Sequence, residues 1–312
     1  MKTFKELLGE KADELTQAGV PEPELNAWHL LAWSVALSNE QNGDRSRTPN
    51  NEDEESFVIR LAESMPDRAW YMIHADEHAD ELTEQTYNRL IGYRKKRVPL
   101  EYITHYTEFM GLPFYVDPSV LIPRQDTECV VETALDILKE DFKDTGADVL
   151  DLCTGSGCIA VSLAKLGKVK SVTATDKSAE ALQVASKNAA INHVDIRFLQ
   201  GDMWDPIDAQ FDLIISNPPY IRDDVMPTLM EEVRDYEPVM ALNGGEDGLF
   251  FYRCITEKIG VFLRKGGSLI FEIGYDQGAD VAALMREAGL TDIEVKKDYA
   301  GCDRVVCGRL DV

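Results

Sequence analysis

None of the six cysteines (Cys129, Cys153, Cys158, Cys254, Cys302 and Cys307) forms a Cys-x-x-Cys pair. Several sit in apolar runs, where a thiol behaves as a small hydrophobe. A zinc site built from them is not expected, and all six are read as reduced thiols. Histidine is also scarce, at five residues. The string "HADEH", residues 74–78, has the spacing of one metalloprotease group, which needs a helix that carries both imidazoles on one face. Its flanks are polar and the next helix is expected only from Thr83, so no metal is assigned. His29, His105 and His193 are isolated. No run approaches the roughly 18 consecutive apolar residues of a membrane span. The opening "MKTFKELLGEKADEL" has amphipathic spacing without the apolar block and cleavage site of a signal peptide, which points to the cytoplasm. Basic residues are outnumbered, 32 against 56 acidic, for a formal net charge of −24. Such a chain repels a phosphate backbone at long range, which argues against an extended nucleic-acid footprint.

What is present is a globular composition, 44% hydrophobic over 312 residues, enough for two domains. Three regions emerge. Residues 1–97 read as helices: "FKELLGEKADELTQAGV", ending at Gly19; "PELNAWHLLAWSVAL", with Pro23 in its first turn; and "TEQTYNRLIGYRKKR", opened by Thr83 as a cap. The polar stretch 38–56 between them reads as a surface loop or insertion. The basic cluster "RKKR", residues 94–97, reads as a solvated helix end, with docking to an acidic partner as the rival. Residues 98–120 carry β-branched and aromatic runs around "MGLP", a β-hairpin bridge. Residues 121–312 alternate strands and helices. "GLFFYRCITEKIGVFLRKGG" reads as a helix closing on paired glycines, and the end reads as two antiparallel strands. The alternation predicts an α/β fold, a doubly wound, mostly parallel seven-stranded sheet, with ligands outside the carboxyl ends of its strands.

Four signals fall at such ends. "DLCTGSG" (residues 151–157) supplies glycines where backbone must turn tightly and a ligand can approach it, but it misses the dinucleotide pattern. Asp176, about 25 residues on, is near the offset of an acid that takes a ribose hydroxyl pair, and Asp is also favoured as a helix N-cap. In "QGDMW" Asp202 suits an adenine amino group, with Met203 or Trp204 against the ring; a turn residue is the plainer reading. "SNPPYI" (residues 216–221) follows the apolar "FDLIIS", and proline stops a ladder there. Asn217 offers a carbonyl acceptor, Pro218 and Pro219 aim their carbonyls with little entropy to lose, and Tyr220 offers a flat face. Together they suit a planar –NH₂ group whose lone pair is delocalised and must be turned toward an electrophile.

"VLDLCTGSGCIA", "TATD", "GDMW" and "SNPPYI", in that order, resemble class I S-adenosylmethionine-dependent methyltransferases of the NPPY type. "EFMGLPFYVDPSVLIPRQDTE" and the tail "DYAGCDRVVCGRL" narrow the resemblance to the HemK/PrmC family, over about residues 69–312. The resemblance implies methylation of the glutamine side-chain amide in the Gly-Gly-Gln tripeptide of peptide chain release factors. It implies S-adenosylmethionine held by Cys153, Thr154, Gly155, Ser156 and Gly157, with Asp176 on the ribose and Asp202 and Met203 beside the adenine. Asn217, Pro218, Pro219 and Tyr220 would take the glutamine amide, with no metal. Cys153 stands where the family has a glycine, and Gln125 where it has a proline; Arg124 and Glu128 match. The rival readings are a glutamine methyltransferase acting on a large-subunit ribosomal protein, an adenine amino methyltransferase acting on nucleic acid, and a binding module that has lost turnover.

Overall fold

The computed structural model of the protein describes residues 1–42 and 53–311. The chain forms two compact units: Met1–Tyr106 with Glu231–Tyr236, and Thr107–Met230 with Glu237–Val312. Among the described residues no helix is long and apolar enough to cross a membrane.

The first unit is helical: α1 (Phe4–Gln17), α2 (Pro23–Asn42), α3 (Glu54–Glu63), α4 (Arg68–His74), α5 (Glu81–Arg94) and α6 (Leu100–Thr104). Thr3 and Glu6 exchange hydrogen bonds across the first turn of α1, a capping box that satisfies two otherwise unpaired N–H groups. Leu7, Leu15, Leu30 and Leu31 are buried at the centre of this unit. The polar stretch 38–56 is helical at both edges, because α2 runs through Asn42 and α3 opens behind Asp53, whose carboxylate accepts from the Ser56 N–H at 2.8 Å. The remainder of it, 43–52, lies outside the described residues. Asp80, not Thr83, caps α5. His74 ends α4 while His78 pairs with Thr3 in an isolated bridge, so the two histidines share no helix.

The "RKKR" cluster also departs from its reading as a solvated end. Arg94 is buried; its Nε donates to Asn26 Oδ1 at 2.7 Å and its Nη2 to Glu232 Oε1 at 3.0 Å. Arg97 Nη2 donates to the other oxygen of Glu232 at 2.7 Å. Two of the four charges are therefore used inside the unit, on a short helix that arrives from much later in the chain.

The stretch 98–120, expected as a hairpin throughout, begins with α6, which closes on His105 in the left-handed region at φ 55°. The hairpin itself is β1 (Tyr106–Phe109) and β2 (Leu112–Tyr115). Met110 and Gly111 between them both have positive φ, 53° and 69°, the geometry of a two-residue turn whose twist matches its strands.

The second unit continues with α7 (Gln125–Asp141), β3 (Ala147–Leu152), α8 (Cys158–Leu166), β4 (Val169–Asp176), α9 (Ala179–Ile191), β5 (Arg197–Gln200), β6 (Phe211–Ser216) and the short β7 (Ile221–Arg222). After α10 (Glu231–Tyr236), which belongs to the first unit, come α11 (Val239–Leu242), β8 (Asn243–Gly245), α12 (Phe250–Phe262), β9 (Leu263–Glu272), α13 (Gly278–Glu287), β10 (Leu290–Lys297) and β11 (Asp303–Leu310). Seven strands form one sheet in the order β10-β11-β9-β6-β3-β4-β5. The strands from β9 to β5 are parallel, and β11 and β10 join antiparallel, as the sequence implies. Apolar clusters cover both faces, so the central strands read as near-continuous apolar runs. One boundary differs: Gly266 and Gly267 do not end α12 but lie inside β9, where Gly266 at φ 76° accompanies a register shift against β6.

Candidate active site

The order β6-β3-β4-β5 sets four strand ends side by side, and each carries one of the singled-out segments. After β3 the chain turns through residues 153–157 into α8. Gly155 and Gly157 both have positive φ, 54° and 80°, as expected for glycine, but so does Cys153 at 61°. A side chain there is strained, which gives a physical reason for glycine at this place in the resembling family. The two glycines serve different ends. A Cβ on Gly157 would lie 3.0 Å from Ala185 Cβ on α9, whereas a Cβ on Gly155 would meet nothing within 4 Å. Gly157 thus permits close packing, and Gly155 keeps backbone open to a ligand.

The loop is fixed from several sides. Thr154 N–H donates to the Thr175 carbonyl at 2.9 Å, and its hydroxyl donates to Asp151 at 2.6 Å. Burial raises the Asp151 carboxyl to about 7. Asn188, fully buried on α9, exchanges two hydrogen bonds with the Tyr115 backbone and donates to the Ser156 carbonyl at 2.9 Å. Sequence reading missed Asn188; a polar residue on an otherwise apolar helix face was the available signal.

Asp176 ends β4. Its two oxygens accept from the Gly155 N–H and the Ser178 N–H, each at 2.9 Å, while burial raises its carboxyl above the usual range. It is not the cap of α9; Ser178 is, accepting from the Ala181 N–H at 3.0 Å. Asp202 is exposed and paired with Lys177 at 2.7 Å. Of the two candidates for an adenine face, Met203 lines the cavity described below. Trp204 does not, because its indole is buried, stacked on Phe262 at 4.4 Å and donating to the Cys254 carbonyl.

At the end of β6, Asn217 Nδ2 donates to Thr127 Oγ1 at 3.4 Å. Tyr220 turns toward the core and its hydroxyl donates to Glu272 Oε1 at 3.3 Å. Burial pushes the Tyr220 phenol up and the fully buried Glu272 carboxyl to about 7.

Several of these groups meet in one cavity of about 310 Å³ within the second unit. Residues 153–156, Asp176, Asp202, Met203, Asn217 and Pro219 line it; Gly157, Pro218 and Tyr220 are not part of that lining. The cavity lining also includes residues 119–124 and Thr127, and Pro238, Met240, Ala241, Phe250 and Phe251, none of which was marked as a site from sequence. Half-exposed Met240 and Phe250 give its mouth an apolar rim. Arg124 is ion-paired with Glu237, and Glu128 accepts from the Met110 N–H at 2.6 Å, so both matching residues brace the structure. Gln125 is the first residue of α7, where proline is well tolerated.

The cavity is of a size for a small molecule, and its residues fit S-adenosylmethionine. Gly155 offers open backbone to the amino-acid arm, Asp176 retains unused acceptor capacity for a hydroxyl pair, and Met203 presents an apolar side chain to a base. The thiol of Cys153, pushed up by desolvation, is a neutral lining group.

The family model described as "PrmC N-terminal domain" matches residues 6–104, and "Methyltransferase small domain" matches 129–234. A release factor glutamine methyltransferase of Clostridium acetobutylicum is 41% identical over 81% of this chain and 90% of its own length. That of Moorella thermoacetica is 40% identical over 97% of this chain and 96% of its own. A methyltransferase from Pyrococcus furiosus, 19% identical, superposes with a TM-score of 0.50 over 72% of this chain and 98% of that one, a likeness of fold.

Proposed function

The chain belongs to the release factor glutamine methyltransferase family, and from that premise we propose that it methylates the side-chain amide nitrogen of the glutamine in the Gly-Gly-Gln motif of peptide chain release factors. The observation that carries the reading is that Asn217 and Pro219 line the same cavity as Gly155 and Asp176. An amide-gripping corner and a nucleoside-type cradle share one small volume.

S-Adenosylmethionine, when bound, supplies an electrophilic methyl group on a cationic sulfur. The backbone of residues 153–157 would receive its amino-acid arm, the Asp176 carboxylate would take the ribose hydroxyls, and Asp202 and Met203 would flank the adenine. Asn217 Oδ1 and the Pro218 carbonyl accept the two hydrogens of the substrate carboxamide. That orientation turns the nitrogen lone pair out of conjugation and toward the methyl carbon. Pro219 and Tyr220 stiffen the corner. The nitrogen loses its proton after transfer, so no strong base and no metal is needed. The cytoplasm, where release factors work, is the place this function requires. The net charge of −24 favours a protein substrate over a nucleic acid.

Mass spectrometry tests this. After incubation with enzyme and cofactor, a release factor should carry one added methyl on the Gly-Gly-Gln glutamine. A methyl group appearing only on a ribosomal protein, or only on RNA or DNA, defeats the assignment.

A further inference from the structure

Asn217 can serve as an acceptor only if its carboxamide is held the right way round, and a side-chain amide flips at little cost unless something prevents it. The structure contains a group with that effect, outside the motif. Thr127, on the first turn of α7, is buried and lines the cavity. Its Oγ1 lies 3.4 Å from Asn217 Nδ2. Tyr220, three residues further along the motif, is held separately: its hydroxyl donates at 3.3 Å to Glu272, fully buried at the end of β9.

In the structure the Asn217 –NH₂ donates to the Thr127 oxygen, so Oδ1 of the same amide faces away from Thr127.

We propose that Thr127 is a positioning residue for methyl transfer: by accepting from Asn217 Nδ2 it commits Oδ1 of that amide to the substrate nitrogen. The proposal rests on the function given above and deepens it, since it says why the corner accepts and does not donate. It also assigns work to the threonine of "QDTE", which the motif alone leaves without a role.

Two measurements on the full-length enzyme test it. In Thr127→Val, of nearly the same shape but without the hydroxyl, kcat for release-factor methylation should fall on the order of 10- to 100-fold, the range for a misoriented but present group. The KM for S-adenosylmethionine should stay within about 3-fold of wild type. Thr127→Ser, which restores the hydroxyl, should recover most of the rate. Independently of turnover, the side-chain amide hydrogens of Asn217, assigned by NMR through their loss in Asn217→Asp, should exchange faster with solvent in the valine variant than in wild type or the serine variant. Equal kcat in wild type and Thr127→Val, or unchanged exchange, overturns the proposal. A wild-type enzyme with no activity on a release factor sinks the function proposed above, and the exchange measurement still decides this claim.

Discussion

The main-chain N–H of Gly155 donates to Asp176 Oδ2 at 2.9 Å, tying the loop after β3 to the end of the neighbouring strand. One carboxylate thereby organises the cradle and faces the cavity. Replacing Asp176 with Ala removes both the loop tie and the proposed ribose acceptor. S-Adenosylmethionine affinity should fall on the order of 100-fold, as expected when charge-assisted hydrogen bonds are lost. Isothermal titration calorimetry checks this; affinity within about 2-fold of wild type would place the nucleoside elsewhere.

The glycines of the loop make separable predictions. Gly157→Ala places a methyl 3.0 Å from Ala185 Cβ at a φ of 80°, so it should lower stability by about 3 kcal/mol. Gly155→Ala meets no protein atom and carries only the backbone penalty of about 1 kcal/mol, yet it should weaken cofactor binding on the order of 10-fold by intruding into the cavity. Cys153→Gly relieves a strained φ of 61° and should raise stability by about 1 kcal/mol while keeping activity. Urea denaturation and cofactor titration on the three variants check the set.

Glu232 is the shared partner of Arg94 and Arg97 inside the first unit. Glu232→Ala leaves a buried guanidinium uncompensated and should destabilise by about 3 kcal/mol. Lys95→Ala, which removes an exposed pair with Glu14, should change stability by less than about 0.5 kcal/mol. Equal effects in chemical denaturation would show that the "RKKR" cluster is a solvated end after all.

Burial raises the Glu272 carboxyl from an ordinary value near 4.5 to about 7. Between those values the native protein holds a proton that the unfolded chain has released. The stabilising contribution is therefore full below about 4.5 and is lost as pH rises through about 7. Glu272→Gln is uncharged throughout and escapes that loss. Its melting temperature relative to wild type should therefore rise on the order of 5 °C between pH 5 and pH 8. Calorimetry at the two pH values checks the sign; a difference that shrinks with pH contradicts it.

Much of the second unit was legible because its signals are local. A buried strand ending in "DLCTGSG", "TATD", "GDMW" or "SNPPY" states its own turn, and strand–helix alternation places those turns on one edge. What stayed hidden depends on distant partners. Trp204 sits beside Met203 in sequence, but its ring is claimed by Phe262 and the Cys254 carbonyl. Tyr220 is flat and aromatic as the motif requires, yet Glu272 draws its hydroxyl inward. Segment 98–105 has strand-like residues, and tertiary context makes part of it helix. Nothing near Glu231–Tyr236 announces that it joins the first unit, because its partners lie more than a hundred residues earlier. The lining contributed by Pro238, Met240 and Phe250 escaped for the same reason.

The most direct measurement is a crystal structure grown with S-adenosylhomocysteine, the demethylated cofactor. The ribose hydroxyls should lie within hydrogen-bonding distance of Asp176, with the sulfur directed toward Asn217. Density for the nucleoside outside the cavity bounded by the ends of β3, β4, β5 and β6, or a sulfur turned away from Asn217, would contradict the account.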